Sequence, residues 1–322
     1  MDRMLRAEKM RFLLISLACF LCSACVSYPA PTASTATPAL VGEDIISFDG
    51  TLLPIRTWHA DTPKAVIIAL HGMNDHAGMW RDAAQYWAGQ GISVYAYDQR
   101  GFGRTASRGR WPGAATLRED LIAVSAALRA SHPDIPILVL GHSMGGGVVL
   151  TSMTTGKLGA DGVILAAPAV WGGSQMPIFY RASLNLAAML APGKTLTGER
   201  ARRQASDNIE ALRAMAVDPL MVRDTRLDAT LGVVRLMGEA WRASETACGR
   251  VLFLAGDKDE IIPPKSLARA AARLSGDVTI HTYSDGWHLL FRDLQRKKVW
   301  ADVSDWALNH AADKLPPDCP KN

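Results

Sequence analysis

The chain has 322 residues, 48% hydrophobic and 20% charged, which is ordinary for a globular protein and argues against a disordered or fibrous chain. Half of the small net charge of +4 sits in the first 11 residues, and no basic run interleaved with aromatics follows, so nucleic acid is not an expected partner. The length suits one large α/β domain, or one domain with an insertion.

Residues 1–11 are basic, residues 12–20 form an apolar run, and Leu21-Cys22-Ser23-Ala24-Cys25 follows. A basic segment, a short apolar stretch and small residues before a break describe a secretory signal over residues 1–25. The apolar stretch is shorter than the roughly 18–20 residues that span a bilayer. Ser23-Ala24-Cys25 also resembles the lipobox of bacterial lipoproteins, with Cys22 where that pattern usually has Leu. The resemblance implies lipidation of Cys25 and a place in the bacterial cell envelope, facing the periplasm or in the outer membrane. Cleavage near Ala24 without lipidation and an uncleaved anchor are the other readings. Residues 26–42, rich in Pro, Ser, Thr and Ala, describe a flexible tether.

From residue 43 short β-rich runs alternate with helical patterns. Residues 45–48 and 52–58 flank Asp49-Gly50, a hairpin signal. Continuous apolar runs at 65–70, 93–97, 137–140, 162–166 and 251–255 have the pattern of strands buried on both faces of a parallel sheet, and 278–283 is a further candidate. Helix-length segments lie between most of them, at 78–90, 116–131 and 264–274, with a last helix expected over 292–311. This alternation predicts an α/β fold, a mostly parallel central sheet with helices on both faces. Between Pro168 and Thr246 the sequence offers helical patterns at 181–190, 209–215 and 227–241 and no convincing strand. Connections without structure rarely exceed about 12–15 residues, so 168–246 is expected to be an inserted helical cap. The core is then 43–167 and 247–313, with a tail at 314–322. Export would allow a Cys248–Cys319 disulfide; the plainer expectation is two unrelated thiols.

Gly141-His142-Ser143-Met144-Gly145 matches G-x-S-x-G between a buried strand and a helix start. A sharp strand-to-helix turn there lifts the serine above the sheet, and a glycine two positions to either side relieves the crowding. Ser143 is the expected nucleophile, and a serine hydroxyl needs a base. Of eight histidines, His288 follows a strand and precedes the last helix, at the carboxyl end of the sheet where ligand sites gather. The His142 side chain is expected to point away from the turn, and His59, His132 and His310 to be solvated, while His281 alternates within a strand. The orienting acid should lie between Ser143 and His288, where Gly256-Asp257-Lys258-Asp259-Glu260 ends a strand. Asp259 is preferred, then Asp257, then Glu260. The oxyanion donors expected are the main-chain N–H groups of Met144 and of Met73, the latter in His71-Gly72-Met73.

These motifs, with Asp98-Gln99-Arg100-Gly101-Phe102-Gly103-Arg104 and Gly286-Trp287-His288, resemble the monoacylglycerol lipase and bacterial lysophospholipase branch of the α/β-hydrolases over residues 44–308. Thr105 stands where that branch usually has Ser. The resemblance implies Ser143, Asp259 and His288 as a triad, Met73 and Met144 as oxyanion donors, and a helical cap over an apolar acyl tunnel. Gln204-Ala205-Ser206-Asp207 and Asp218-Pro219-Leu220-Met221 also look like the lysophospholipase branch.

The cap is rich in large apolar side chains, with Trp171, Phe179 and Tyr180 as candidates to line a slot for an acyl chain. The expected activity is hydrolysis of a carboxylic ester, foremost of a monoacyl lipid. An esterase, amidase or peptidase for small soluble substrates and a non-catalytic binding lipoprotein are the alternatives. No histidine–carboxylate pair has metal spacing on one helix and no Walker-type glycine loop occurs, so no cofactor or metal is expected. The sequence sets no oligomeric state.

Overall fold

A computed structural model describes residues 26–197, 203–310 and 319. Cys25, the candidate lipidation site, lies outside the described residues, as do Arg200 and Arg202 of the cap and most of the tail. No described helix is long and apolar enough to cross a membrane.

Nine strands form one sheet: β1 (Ala39–Val41), β2 (Asp44–Ile46), β3 (Leu52–Trp58), β4 (Ala65–Leu70), β5 (Ile92–Tyr97), β6 (Ile137–His142), β7 (Gly162–Ala166), β10 (Cys248–Gly256) and β11 (Ser275–Tyr283). Their order is β1-β2-β3-β5-β4-β6-β7-β10-β11. Pairing is antiparallel from β1 to β5 and parallel from there on. The hairpin signal turns β2 into β3, where the Thr51 amide bonds the Asp49 side chain at 3.1 Å. β4, β5, β6 and β7 are buried along their whole length, which is why their sequences are apolar without alternation. Removing one such Val, Leu or Ile side chain from water stabilises the fold by about 1.5–3 kcal/mol.

Helices cover both faces. On one, α1 (Arg81–Gly89) and α8 (Arg296–His310) bring Trp80, Trp87, Trp300 and Trp306 onto the sheet, and the Trp87 indole donates to the Trp300 carbonyl at 2.8 Å. On the other, α2 (Ala114–Ser131), α3 (Met144–Met153) and α7 (Pro264–Ala271) complete the larger core. The cap between β7 and β10 holds α4 (Ile178–Leu190), α5 (Ile209–Val217) and α6 (Leu227–Ala243). α6 joins the cap to the core, since Val233, Leu236 and Ala240 enter the same cluster as Val148 of α3.

Four expectations are corrected. The cap is not purely helical: β8 (Thr195–Thr197) and β9 (Asp224–Arg226) pair in an antiparallel ribbon. Three-residue strands are too short to leave a periodic pattern. The last helix begins at Arg296 rather than 292, because the segment before it is held by the cap, with Asn208 donating to the Arg292 carbonyl at 2.7 Å. Residues 26–41 are docked rather than free: the Thr35 and Ala36 amides bond the Phe48 carbonyl, and β1 pairs with β2. Cys248 and Cys319 are joined in a disulfide, their Cα atoms 5.6 Å apart.

Candidate active site

The run of buried residues in β6 ends at His142, and α3 starts at Met144. Ser143 between them has φ 52° and ψ −114°, a conformation that L-residues avoid and that costs on the order of 1–3 kcal/mol. Neighbouring main chain holds it there. The Ser143 amide donates to the Ala166 carbonyl at 3.0 Å, and the Ala169 amide donates to the Ser143 carbonyl at 2.9 Å. The turn is tight enough that a Cβ on Gly141 would sit 2.5 Å from the Gly145 carbonyl carbon, and one on Gly145 would sit 2.6 Å from the Leu70 oxygen. Only glycine fits at either position.

The structure brings His288 and Asp259 to this serine. His288 Nε2 lies 2.9 Å from Ser143 Oγ, and His288 Nδ1 lies 2.8 Å from Asp259 Oδ2. The other Asp259 oxygen accepts the Ile261 and Ile262 amides, each at 2.8 Å. These bonds hold the carboxylate in one orientation, with Oδ2 facing the histidine. With Nδ1–H donating to it, Nε2 presents a lone pair to the serine hydroxyl. Ser143, Asp259 and His288 are 8%, 4% and 5% exposed. Asp257 is exposed and the Glu260 carboxylate accepts the Gln204 amide at 2.8 Å, so neither alternative acid reaches the histidine.

The turn after β4 passes beside the nucleophile. A Cβ on Gly72 would come 3.3 Å from Ser143 Cβ and 3.1 Å from His142 Nδ1. His71 fixes this turn, its Nδ1–H donating to the Gly72 carbonyl at 2.8 Å while Nε2 accepts the Gln99 amide at 2.9 Å. Burial lowers the pKa of His71 and so keeps it in the neutral form that this pattern requires. Met73 follows in the turn, and Met144 is the first residue of α3, where main-chain N–H groups have no intrahelical acceptor. Met144 thus follows the serine directly, and Met73 follows Gly72, whose added Cβ would lie 3.3 Å from Ser143 Cβ.

His142 departs from expectation. Its ring does not turn away but lies buried 5.0 Å from the His288 ring, and its Nε2–H donates to the His288 carbonyl at 2.9 Å. Gly72 leaves the room for it. Burial, and then the neighbouring His288, push its pKa down to about 3, so it stays neutral through the working range.

Three consecutive residues of the β4 turn, Asn74, Asp75 and His76, were not singled out from sequence. The Asn74 side chain donates to Thr225 Oγ1 at 2.7 Å, Asp75 takes an ion pair from Arg292 at 2.5 Å, and His76 Nε2 meets Asp218 at 3.0 Å. Each partner is more than 140 residues away, so no local pattern announces it. The turn thus grips the cap and the segment after His288 together. Of the acyl-slot candidates, Trp171 is half-buried and donates to the Gln175 carbonyl at 3.1 Å. Phe179 and Tyr180 are 76% and 60% exposed, which corrects their assignment to a slot: α4 buries only Ala188 against α6 and turns both aromatics outward. Thr105 keeps the turn it occupies, donating to the Phe102 carbonyl at 2.8 Å.

A mostly parallel sheet with a strained serine on the turn after a central strand, a histidine and acid at neighbouring strand ends and an inserted cap defines an α/β-hydrolase. The sequence profile of the serine aminopeptidase S33 family (Hydrolase_4) matches residues 61–295, and the chain belongs to that family of hydrolases. It is 31% identical over 268 residues to a monoacylglycerol lipase of Mycolicibacterium smegmatis, covering 81% of this chain and 94% of that one. It is 26% identical over 277 residues to the monoglyceride lipase of Mus musculus, covering 83% and 90%. A soluble variant of the Saccharomyces cerevisiae monoglyceride lipase, solved with a substrate analogue, shares the fold with a TM-score of 0.72 at 20% identity, over 88% of this chain and 100% of that one. The Paleococcus ferrophilus monoacylglycerol lipase has a TM-score of 0.68 at 23% identity, over 80% and 99%.

Proposed function

We propose that the protein hydrolyses carboxylic esters of monoacyl lipids, monoacylglycerol or lysophospholipid, through an acyl-enzyme on Ser143. The observation that carries the reading is the unbroken chain of hydrogen bonds from Ser143 Oγ through His288 to buried Asp259. In the first half-reaction His288 Nε2 takes the hydroxyl proton as Oγ attacks the ester carbonyl carbon. The amides of Met73 and Met144 receive the negative charge that gathers on the carbonyl oxygen. The tetrahedral intermediate collapses, the alcohol leaves with the proton from His288, and the acyl group stays on Ser143. Water, deprotonated by His288, then releases the fatty acid. Asp259 keeps the imidazole in one tautomer and stabilises its cation. The names of the M. smegmatis and mouse relatives support the monoacyl-lipid substrate.

The leader supports a second part of the reading, lipidation of Cys25 and attachment to the bacterial cell envelope. Mass spectrometry of the N-terminal peptide from a membrane fraction tests this part. A diacylated or triacylated Cys25 is expected, and an unmodified N-terminus beyond Cys25 overturns it.

The activity is tested with the purified full chain, comparing wild type with Ser143→Ala on p-nitrophenyl esters of increasing length, monoacylglycerol and lysophosphatidylcholine. Turnover is expected to be greatest on the monoacyl lipids and to fall by about 10⁴-fold or more in the variant. Activity confined to short esters overturns the lipid substrate. A folded wild type inactive on every ester overturns ester hydrolysis and redirects the search to amides.

A further inference from the structure

The turn after β4 closes around Met73. The Asp75 amide donates to the Gly72 carbonyl at 3.3 Å, so Gly72, Met73, Asn74 and Asp75 form one four-residue turn. Asn74, its third residue, has φ 66°. That is the left-handed region, which Asn enters more readily than most residues with a side chain. A trans peptide is planar, and its N–H points opposite to its carbonyl. The direction of the Met73 N–H therefore follows from whatever holds the Gly72 carbonyl. Two donors hold it: His71 Nδ1–H at 2.8 Å and the Asp75 amide. The second donor stays in place only while Asn74 keeps its left-handed backbone.

The cap holds Asn74 from both its main chain and its side chain. Between α5 and β9 an arm of the cap runs from Asp218 to Thr225. The Asn74 carbonyl accepts the Val222 amide at 3.0 Å, and the Asn74 side chain donates to Thr225 Oγ1 at 2.7 Å. Asn74 Oδ1 is buried with no partner among the described residues, so the bond to Thr225 is the side chain's one anchor there. Two residues further along the turn, His76 Nε2 meets one Asp218 oxygen at 3.0 Å while the other accepts the Leu220 amide at 2.8 Å. Thr225 is fixed in its turn, because β9 pairs with β8 and sets it opposite Leu196. Val222 and Met73 both pack against the larger core.

We propose that Asn74 is a positioning residue, through which the cap arm 218–225 holds the Met73 amide in line with the developing oxyanion. This rests on the reading of Met73 as an oxyanion donor. The path runs from Thr225 and Val222 to Asn74, from Asn74 to the closure of the turn, and from the turn to the Met73 peptide. It passes through main chain and not through the substrate. A substrate too small to reach the cap therefore feels the arm as well, in the transition state rather than in binding.

The test uses the full chain and p-nitrophenyl acetate. Thr225→Val removes the anchor at nearly constant volume, and Asn74→Gly removes the amide while keeping the left-handed backbone. Each is expected to lower kcat by about tenfold with KM little changed, short of the roughly 10²–10³-fold that outright loss of an oxyanion donor costs. The double variant is expected to be no worse than either single one, since both break the same bond. Thr225→Ser, which restores the hydroxyl, is expected to recover activity to within about twofold of wild type. A second readout needs no turnover. An alkyl trifluoromethyl ketone adds to Ser143 Oγ and places an oxyanion at the site, whereas the corresponding trifluoromethyl carbinol cannot. Affinity for the ketone is expected to fall in step with kcat, and affinity for the carbinol to stay. Wild-type kcat in both single variants overturns the proposal. Equal loss of ketone and carbinol affinity also overturns it, and would make the arm part of the substrate pocket. A wild type that binds the ketone no more tightly than the carbinol would instead sink the oxyanion reading itself, and the proposal with it.

Discussion

Ser143, Asp259 and His288 are each less than a tenth exposed, and every contact among them is anchored to main chain from a different strand end. On α4 a single side chain, Ala188, is buried, and the helix touches the body of the protein through α6. The two regions differ in how completely their side chains are committed to partners. Bond making requires atoms held within a few tenths of an ångström, which packed strand ends and saturated hydrogen bonds provide. A helix with one buried side chain is fixed by far fewer contacts.

The largest effect should come from disturbing the rigid side. Asp259→Asn is expected to lower kcat by about 10⁴-fold with little change in KM, because an amide accepting the Ile261 and Ile262 amides would turn its NH₂ toward His288 and invert the tautomer. Steady-state kinetics on any accepted ester decides it; a loss under tenfold would mean that the histidine is oriented by something else. Second comes the support beneath the site. Arg100 bonds Asp49 at 2.7 Å and the fully buried Asp120 at 2.7 Å. Arg100→Met leaves Asp120 uncompensated and is expected to lower stability by about 3–5 kcal/mol in urea denaturation. No loss would show the ion pairs to be replaceable by packing.

The smallest effect sharpens the contact between the two regions. Asp293 accepts the Ser206 hydroxyl of the cap at 2.6 Å and the Trp287 amide, one residue before His288, at 2.8 Å. Burial, only partly offset by these bonds, raises its pKa to about 6 from an ordinary 3.8. The folded state thus holds the proton more tightly than the unfolded one, so this group's contribution to stability declines as pH rises from about 4 to about 6 and stays low above that. Asp293→Asn, with the Ser206 hydroxyl turned to accept, is expected to flatten that slope and raise Tm at pH 7 by about 2–4 °C. An unchanged pH profile of Tm would assign the slope to other carboxylates.

How much of this could be seen in the sequence follows the same division. The sheet was legible because strands buried on both faces must be continuous apolar runs, and the turn at Ser143 because its glycines have no substitute. Asp259 and His288 could be picked out by their place at strand ends. The partners that hold the β4 turn could not: Asp75 meets Arg292 of the segment after His288, and His76 meets Asp218 of the cap, each more than 140 residues away. The docked segment 26–36 was illegible for a related reason. Its Pro, Ser, Thr and Ala describe a chain with no core of its own, and the residues that seat it, Asp228 and Arg235, lie some 200 positions on. Phe179 and Tyr180 misled because an apolar helix in a cap can turn its face inward or outward, and periodicity does not say which.

The disulfide between Cys248 and Cys319 carries one more consequence. The two cysteines are 71 residues apart, and the ring they close takes in Asp259 and His288 but leaves Ser143 outside. Acid and base therefore belong to a closed loop of chain, tied at the first residue of β10, while the nucleophile belongs to the open remainder. A cut anywhere within that loop opens the ring without dividing the molecule, so the fragment bearing His288 stays covalently joined to the chain that bears Ser143.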